Sequence, residues 1–236
     1  MREAFAIDVA LTRAELRPAD IAVVIDVLRA TSTITDALAG GYQAVLCADS
    51  IERAARLRGP GRVLAGERRC VMPDGFDQGN SPQEAAQPRG RELVLATGNG
   101  TPTIVAAGAG TPTTLVACLR NLDAVIAALR RAAGELQIVC SGTDGGPALE
   151  DMYVAGRICA ALSGPRSDAA LIAEAVARAY GSPLDALSAC ADAAVLREVG
   201  LQDDIAYCAQ QSRTDVVPAV ALVANGVATV VDTGTR

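Results

Sequence analysis

The chain has no histidine and no lysine among its 236 residues, so all 21 of its basic residues are arginine. Without histidine there is no Ser-His-Asp or Cys-His catalysis, no phosphohistidine chemistry and no His-ligated metal site. Without lysine there is no P-loop nucleotide site and no Schiff base with pyridoxal phosphate. Carboxylates, arginines, hydroxyls, asparagines and cysteines remain for chemistry. Carboxylates without histidine favour a hard, oxygen-binding cation such as Mg²⁺.

Aromatic residues are also scarce, at 3% of the chain, and the net charge is -6. Few aromatic rings leave few platforms for base stacking, and the negative charge disfavours nucleic acid and anionic membrane as partners. No apolar run reaches the roughly 18 residues of a membrane span, and the first five residues lack the apolar segment of a signal peptide. We therefore expect a cytoplasmic protein with a small-molecule partner. The apolar content of 50% is compatible with a homo-oligomer.

The seven cysteines are odd in number and include no Cys-x-x-Cys pair. Most of them lie inside apolar segments, where cysteine behaves as a small hydrophobic residue. This usage predicts reduced thiols, with neither a disulfide framework nor a zinc site.

Short apolar runs alternate with segments of helical composition, a pattern typical of α/β proteins. Seven runs predict strands, at residues 4–9, 21–26, 44–47, 62–65, 92–96, 115–118 and 136–140. Two or three Ala-rich helices are predicted over about 167–211, and Asn225-Gly226 between two further apolar runs predicts a β-hairpin. We expect a three-layer α/β/α fold with a mixed, mostly parallel sheet.

No linker divides the chain, so residues 1–236 are predicted to form a single domain. Residues 31–53 and 101–124 share a succession of hydroxyls, helix, strand and helix, with a spacing of roughly 70 residues. This similarity predicts two related α/β halves with a boundary near residue 90 and a helical and hairpin tail from about residue 165. Chance similarity in an Ala-rich chain is the alternative.

Polar side chains follow four of the predicted strands at the point where each strand ends. They are Asp26, Arg29 and Thr31 at the end of 21–26, Glu67 and Arg68 after 62–65, Asn99, Gly100 and Thr101 after 92–96, and Ser141, Gly142 and Thr143 after 136–140. Ligands of open α/β sheets bind at the carboxyl ends of strands. Each cluster alone also fits an ordinary helix cap, and the repetition at successive strand ends favours a binding site.

Three carboxylates, Asp26, Glu67 and Asp151, are predicted to converge with glycine-rich loops, whose amides approach anions closely. Carboxylates repel phosphate unless a divalent cation lies between them. We therefore predict that these three residues bind Mg²⁺ beside a small, anionic, phosphorylated molecule. The alternative for Asp151 is a favourable acidic residue in the first turn of a helix.

An ordered set of motifs resembles the 2-phosphosulfolactate phosphatase family over nearly the whole chain. The motifs are DVLRATST at 26–33, GER at 66–68, GFDQGNSP at 75–82, NGT at 99–101, VCSGT at 139–143, Glu150-Asp151, Ala155-Gly156, DIAYCA at 204–209 and VVP at 216–218. The resemblance implies a three-layer α/β fold and a Mg²⁺-dependent acid phosphatase. It implies conversion of 2-phospho-3-sulfolactate to 3-sulfolactate and phosphate, in the route to coenzyme M. Thr97-Gly98 and Ser141 depart from the family pattern, which bears on the substrate more than on the reaction.

Our mechanistic hypothesis is phosphomonoester hydrolysis, with Asp26, Arg29 and Glu67 as catalytic residues. Asp26 either binds the metal beside an attacking water or is itself the nucleophile that forms an aspartyl-phosphate, and the sequence leaves both routes open. Arg68 or Arg69 is expected to bind the sulfonate or carboxylate of the substrate. The predicted substrate-binding residues are Thr31, Thr33, Arg68, Asn80, Asn99, Gly100, Thr101, Ser141 and Gly142.

Three alternatives stay open from the sequence. In the first, the chain is a phosphatase of the same family that acts on a different phosphorylated hydroxy acid. In the second, it is a phosphometabolite-binding module without catalysis. The third is a structural, Ala-rich oligomer whose polar loops only cap helices.

Overall fold

The computed structural model describes residues 6–234, which form nine β-strands and ten α-helices. The strands are β1 (Ile7–Ala10), β2 (Ile21–Ile25), β3 (Ala44–Ala48), β4 (Arg62–Gly66), β5 (Glu92–Ala96), β6 (Thr113–Ala117), β7 (Leu136–Cys140), β8 (Pro218–Ala224) and β9 (Val227–Asp232). The predicted strands are all present, although residues 4 and 5 of the first prediction lie outside the described residues.

The helices connect and flank these strands. They are α1 (Ala30–Gly40), α2 (Ile51–Arg56), α3 (Pro82–Ala85), α4 (Gly100–Gly110), α5 (Leu122–Leu129), α6 (Leu149–Ala161), α7 (Asp168–Ala179), α8 (Pro183–Ala189), α9 (Ala191–Glu198) and α10 (Asp203–Cys208). No helix within residues 6–234 has the length and apolar character needed to cross a membrane.

The strands form one sheet in the order β1-β7-β2-β6-β8-β9-β3-β5-β4. Strands β1, β7, β2 and β6 pair in parallel, and so do β3, β5 and β4. The prediction of a mixed, mostly parallel sheet is confirmed. The inner strands β2, β3 and β7 are buried along their whole length, which accounts for their continuous apolar sequences.

The β8–β9 hairpin lies between the two parallel groups of strands and pairs antiparallel on both of its sides. Its turn is Asn225-Gly226, and both residues have positive φ, as a two-residue hairpin turn requires. Three successive antiparallel pairings reverse the direction of the sheet, so the group β1, β7, β2, β6 runs opposite to the group β3, β5, β4.

Helices cover both faces of the sheet, which confirms the three-layer α/β/α fold. Helices α1 and α4 share one apolar cluster with both groups of strands, so the sheet wraps around these two helices. Helices α5 to α10 pack on the other face of β1, β2, β6 and β7, and α2 packs on the other face of β3, β4 and β5. Wrapping brings together strand ends that would lie on opposite edges of a flat sheet.

The tail from residue 167 to 211 contains four helices, so the prediction of two or three is wrong. Ser182 caps the start of α8 by accepting a hydrogen bond from the Asp185 N–H at 3.2 Å. The Cys190 sulfur similarly accepts from the Ala193 N–H at 3.3 Å and begins α9. The alanine-rich sequence alone predicts fewer and longer helices, and these local caps divide the segment into shorter ones.

The strands on either side of residue 90 interleave in the sheet, because β5 pairs with β3 and β4 while β6 and β7 pair with β2. The proposal of two similar halves with a boundary near residue 90 stays a prediction.

Candidate active site

A cavity of about 380 Å³ is formed where β2, β4, β5 and β7 end. Six of the predicted site residues lie in its wall: Asp26, Arg29, Glu67, Arg68, Asn80 and Asn99. The wall is completed by Leu28, Arg69, Cys70, Thr97, Gly98, Thr143, Asp144, Asp192 and Val195. The cavity therefore contains several carboxylates beside three guanidinium groups.

Asp26 is the first residue after β2, and its position is fixed by the start of α1. Its Oδ1 accepts a hydrogen bond from the Ala30 N–H at 2.9 Å. Its backbone carbonyl accepts from both the N–H and the hydroxyl of Thr31, each at 2.8 Å. These bonds tie the carboxylate to the helix that follows it, so the side chain is held in place before any ligand binds.

The pKa of Asp26 is raised to about 7. Burial is the main cause, and the negative charges of Glu67 and Asp192 add to it, while the Ala30 amide and the Arg29 charge act in the opposite direction. A positive charge close to Asp26 would therefore stabilise its ionised form.

Glu67 follows β4 and bridges two loops of the cavity wall. Its Oε2 accepts a hydrogen bond from the Cys70 N–H, and its Oε1 accepts from the Gly98 N–H, both at 2.8 Å. Each carboxylate oxygen has a second lone pair, so Glu67 can still bind a cation while it holds the loops.

Arg29 is 3% exposed and forms an ion pair with Asp204 of α10, with 2.8 Å between Nη1 and Oδ2. Its Nη2 is buried and has no hydrogen-bond partner within the described residues. A buried guanidinium nitrogen without a partner is costly, and an anion in the cavity would remove that cost. Arg29 is thus the strongest structural indication of an anion site.

Asn80 lies in the loop before α3 and is 3% exposed. Its backbone carbonyl accepts a hydrogen bond from the Thr33 hydroxyl at 3.0 Å, which attaches this loop to α1. Its Oδ1 is buried without a partner in the described part of the chain. Asn80 is therefore a candidate neutral oxygen ligand in the cavity wall.

Three predicted threonine ligands, Thr31, Thr33 and Thr101, lie outside the cavity wall, and their hydroxyls bond backbone atoms. The Thr31 and Thr33 hydroxyls donate to the carbonyls of Asp26 and Asn80. Thr101 accepts from the Thr97 N–H at 2.9 Å. Their hydroxyls hold the loops that carry the wall residues.

Ser141 and Gly142 follow β7 and also lie outside the wall. The Ser141 N–H continues the sheet by donating to the Ile25 carbonyl at 2.8 Å. Its hydroxyl is buried and has no partner among residues 6–234. Their predicted roles in substrate binding stay predictions.

Gly100 begins α4 and packs directly against Asp26. A Cβ atom at this position would lie 2.5 Å from Asp26 Oδ2 and 2.5 Å from the Ala30 Cβ. The absent side chain therefore lets the N-terminus of α4, with its partial positive charge, approach the Asp26 carboxylate.

Asp151, the third predicted metal ligand, lies in the first turn of α6 and is 2% exposed, outside the cavity wall. Its Oδ1 accepts from the Val27 N–H at 2.9 Å and its Oδ2 from the Gly142 N–H at 3.2 Å. Burial, with Glu150 and Asp26 nearby, raises its pKa well above the usual value. These contacts support the loops after β2 and β7, and metal binding by Asp151 stays a prediction.

Asp192 is a wall residue that sequence reasoning missed. It comes from the first turn of α9 in the tail, and its Oδ2 accepts a hydrogen bond from the Thr143 hydroxyl at 2.7 Å. Nothing in the sequence around residue 192 resembles a site motif, so only the packing of α9 against the loop after β7 reveals it. The sequence gives Asp204 only as the first residue of the DIAYCA motif and assigns it no role.

Within residues 6–234, no three His, Cys, Asp or Glu side chains are grouped closely enough to form a ready-made metal centre. The wall nevertheless contains carboxylate oxygens of Asp26, Glu67 and Asp192 and the amide oxygen of Asn80. Oxygen ligands are those that Mg²⁺ prefers, and Mg²⁺ retains several waters or substrate oxygens in its coordination shell. The residues present therefore fit a magnesium ion.

Comparison with known proteins supplies the family. Residues 8–222 match the family described as 2-phosphosulpholactate phosphatase. The chain belongs to this family. A relative from Thermus thermophilus, described as a probable 2-phosphosulfolactate phosphatase, is 39% identical over 206 residues, which cover 84% of this chain and 87% of that protein.

Two further relatives in the family come from other organisms. One from Deinococcus radiodurans, with the same description, is 39% identical over 208 residues, covering 84% of this chain and 87% of the relative. One from Methanothermobacter thermautotrophicus, described as a 2-phosphosulfolactate phosphatase, is 34% identical over 198 residues. These residues cover 84% of this chain and 85% of that protein. The resemblance seen in the motifs is thus confirmed over most of the chain.

Proposed function

We propose that the chain is a Mg²⁺-dependent phosphatase that hydrolyses 2-phospho-3-sulfolactate to 3-sulfolactate and phosphate. Membership of the family and the descriptions of its relatives support the reaction and the substrate. The observation on which the proposal chiefly rests is the buried, unpartnered Nη2 of Arg29, a residue that lines the same cavity as Asp26.

In this proposal Arg29 binds the phosphoryl group through Nη2. A charge-assisted hydrogen bond from a fixed guanidinium is short and strong, and it becomes stronger as negative charge develops on the phosphoryl oxygens. Because Arg29 is held by Asp204 before the substrate binds, little reorganisation is required in the transition state.

The substrate has a sulfonate and a carboxylate in addition to its phosphate. Arg68 and Arg69 lie in the cavity wall and are exposed, so their guanidinium groups can reach these two anions. Guanidinium groups bind such oxyanions through paired hydrogen bonds. This arrangement favours a substrate with more than one negative group over a simple phosphate ester.

Asp26 and Glu67 would hold the Mg²⁺ ion, with Asp192 and Asn80 as further oxygen donors in the same wall. The bound ion would neutralise charge on the phosphoryl oxygens and lower the pKa of a coordinated water. Its charge would also favour the ionised form of Asp26, whose pKa is raised by burial first and by the charges of Glu67 and Asp192 second.

Asp26 has two roles that agree with this geometry. It either attacks phosphorus, forming an aspartyl-phosphate that water then hydrolyses, or it binds the metal while water attacks. On both routes the P–O bond to the sulfolactate oxygen breaks and that oxygen takes up a proton. Both routes require the carboxylate of Asp26 in its ionised form.

The test is phosphate release from a panel of phosphomonoesters with Mg²⁺ and with EDTA. The panel contains 2-phospho-3-sulfolactate, phospholactate, which lacks the sulfonate, and a simple alkyl phosphate. We expect release that EDTA abolishes, with kcat/KM highest for phosphosulfolactate. Folded protein that releases no phosphate from any member would contradict the proposal, and a preference for phospholactate would contradict the substrate.

Three finer expectations go with this proposal. The route to coenzyme M, the cytoplasmic location and a homo-oligomeric state stay predictions from the sequence.

A further inference from the structure

We propose that Asp204, on α10 of the tail, is a positioning residue that fixes two walls of the cavity in the geometry required for anion binding. One wall contains Arg29 and the other contains Asn80. The inference rests on the proposed function, because it assigns how that same site is organised.

The first contact of Asp204 is the ion pair with Arg29. The distance between Asp204 Oδ2 and Arg29 Nη1 is 2.8 Å, and the two side chains are 3% and 2% exposed. This bond occupies only one terminal nitrogen of the guanidinium. The other terminal nitrogen, Nη2, is left buried and without a partner in the described chain.

The second contact of Asp204 is with the loop that carries Asn80. Its Oδ1 accepts from the Ser81 hydroxyl at 2.7 Å and from the Gln83 Nε2 at 3.3 Å. Ser81 is the residue next to Asn80, whose Oδ1 is also buried without a partner among residues 6–234. One carboxylate therefore connects the two wall residues that have unsatisfied polar atoms.

These contacts join three segments that are far apart in the chain. Arg29 follows β2, Ser81 and Gln83 begin α3, and Asp204 lies in the tail. The Thr33 hydroxyl already ties α1 to the backbone of Asn80. Asp204 adds a contact to the Arg29 guanidinium itself and joins it to the Asn80 loop through Ser81.

A second buried ion pair in the same protein shows how an arginine with a purely structural role is bound. Asp36 accepts from Arg120 through two bonds, Nε to Oδ2 at 2.6 Å and Nη2 to Oδ1 at 2.8 Å. The third nitrogen, Nη1, donates to Gln210 Oε1 at 3.2 Å. The guanidinium of Arg120 is thus fully engaged within the protein, and Arg120 lies outside the cavity wall.

The contrast assigns different roles to the two pairs. Burial of an ion pair does not by itself distinguish a structural from a functional role, whereas the geometry of the Arg29–Asp204 pair does. Its one-sided geometry leaves a donor available for an anion, whereas the two-sided geometry of Arg120 leaves none.

The test compares Asp204→Asn with Asp36→Asn, which removes the same charge from a buried pair outside the cavity. Binding of inorganic phosphate is measured by calorimetry, at a temperature where both variants are fully folded. We expect Asp204→Asn to weaken phosphate binding about tenfold, the effect of misplacing one charge-assisted hydrogen bond. Asp36→Asn is expected to lower thermal stability and leave phosphate affinity unchanged.

A double-mutant cycle tests whether Asp204 acts on phosphate binding through Arg29 or through a general loosening of the fold. With Arg29→Gln as the background, Asp204→Asn should cause little further loss of phosphate affinity, because it acts through Arg29. Fully additive losses would overturn the proposal, and so would equal phosphate affinities of wild type and Asp204→Asn.

A milder variant is available should Asp204→Asn fail to fold. Ser81→Ala removes only one bond to Asp204, and an unchanged phosphate affinity of that variant would overturn the proposal.

Turnover by the wild type decides the proposed function independently of the role of Asp204. Wild type that turns over, with no effect of Asp204→Asn on affinity, contradicts only the role of Asp204. Wild type without turnover or phosphate binding contradicts both.

Discussion

A single methyl group at Gly100 is expected to disturb the site. The added Cβ of Gly100→Ala would lie 2.5 Å from Asp26 Oδ2, so α4 or the Asp26 side chain must move. Overpacking of this kind costs about 1–3 kcal/mol, and misplacing a catalytic group by about 1 Å lowers the rate about 100-fold. We therefore predict a lower free energy of unfolding in urea and a kcat/KM reduced about 100-fold.

The matched control for this change is Gly110→Ala at the other end of α4. No atom lies within 4 Å of the Cβ added there. Alanine is favoured over glycine in helices by up to about 1 kcal/mol, so stability should be equal or higher and turnover unchanged. Equal turnover of Gly100→Ala and wild type would show that α4 does not constrain Asp26.

At the scale of residues, the sequence indicates which charged side chains lie in the cavity wall. Asp26, Arg29 and Glu67 belong to polar clusters at the ends of successive predicted strands, and all three lie in the wall. The hydroxyls of Thr31 and Thr33 donate to backbone carbonyls, and their predicted roles as ligands stay predictions. A threonine in the first turns of a helix has the same local sequence in both roles, so sequence alone does not distinguish them.

At the scale of elements, helix α9 contributes the Asp192 carboxylate, which helps to raise the pKa of Asp26. Removing that negative charge should lower the pKa of Asp26. Activity requires ionised Asp26 on both routes, so Asp192→Asn should move the acid limb of the pH profile of kcat/KM to lower pH. The profile is measured between pH 4 and 9, a range chosen to span the Asp26 titration.

The control for the Asp192 prediction is Asp203→Asn, which removes an exposed carboxylate of α10 outside the cavity wall. It changes the net charge by the same amount, and its pH profile should match the wild type. An acid limb that stays in place in Asp192→Asn, or moves equally in both variants, would contradict the electrostatic link between α9 and Asp26.

The elements themselves were largely predictable, because apolar runs mark the strands, helix caps such as Ser50 mark helix starts, and Asn225-Gly226 marks the hairpin turn. Ser50 caps α2 by accepting a hydrogen bond from the Arg53 N–H at 3.3 Å. The contribution of the tail was not predictable. Asp192 is bonded to Thr143, 49 residues away, and Asp204 is bonded to Ser81 and Arg29, 123 and 175 residues away. No local pattern records such contacts.

At the scale of the whole molecule, the central hairpin determines how the site is assembled. It reverses the direction of half of the sheet, and the sheet wraps around α1 and α4. The hairpin itself is evident from Asn225-Gly226, but its place between β6 and β3 is a long-range pairing that the sequence does not specify locally. The site residues of β2 and β4 meet only because of this arrangement.

The central claim is that this cavity hydrolyses a phosphomonoester with Asp26 as an essential carboxylate. The most direct measurement is the rate of phosphate release from 2-phospho-3-sulfolactate, with Mg²⁺, by wild type and by Asp26→Asn. We predict turnover by the wild type and a loss of at least about 1,000-fold in the variant, because the amide can neither attack phosphorus nor bind the cation as a carboxylate does. Near-normal turnover by Asp26→Asn would contradict the assignment of the site.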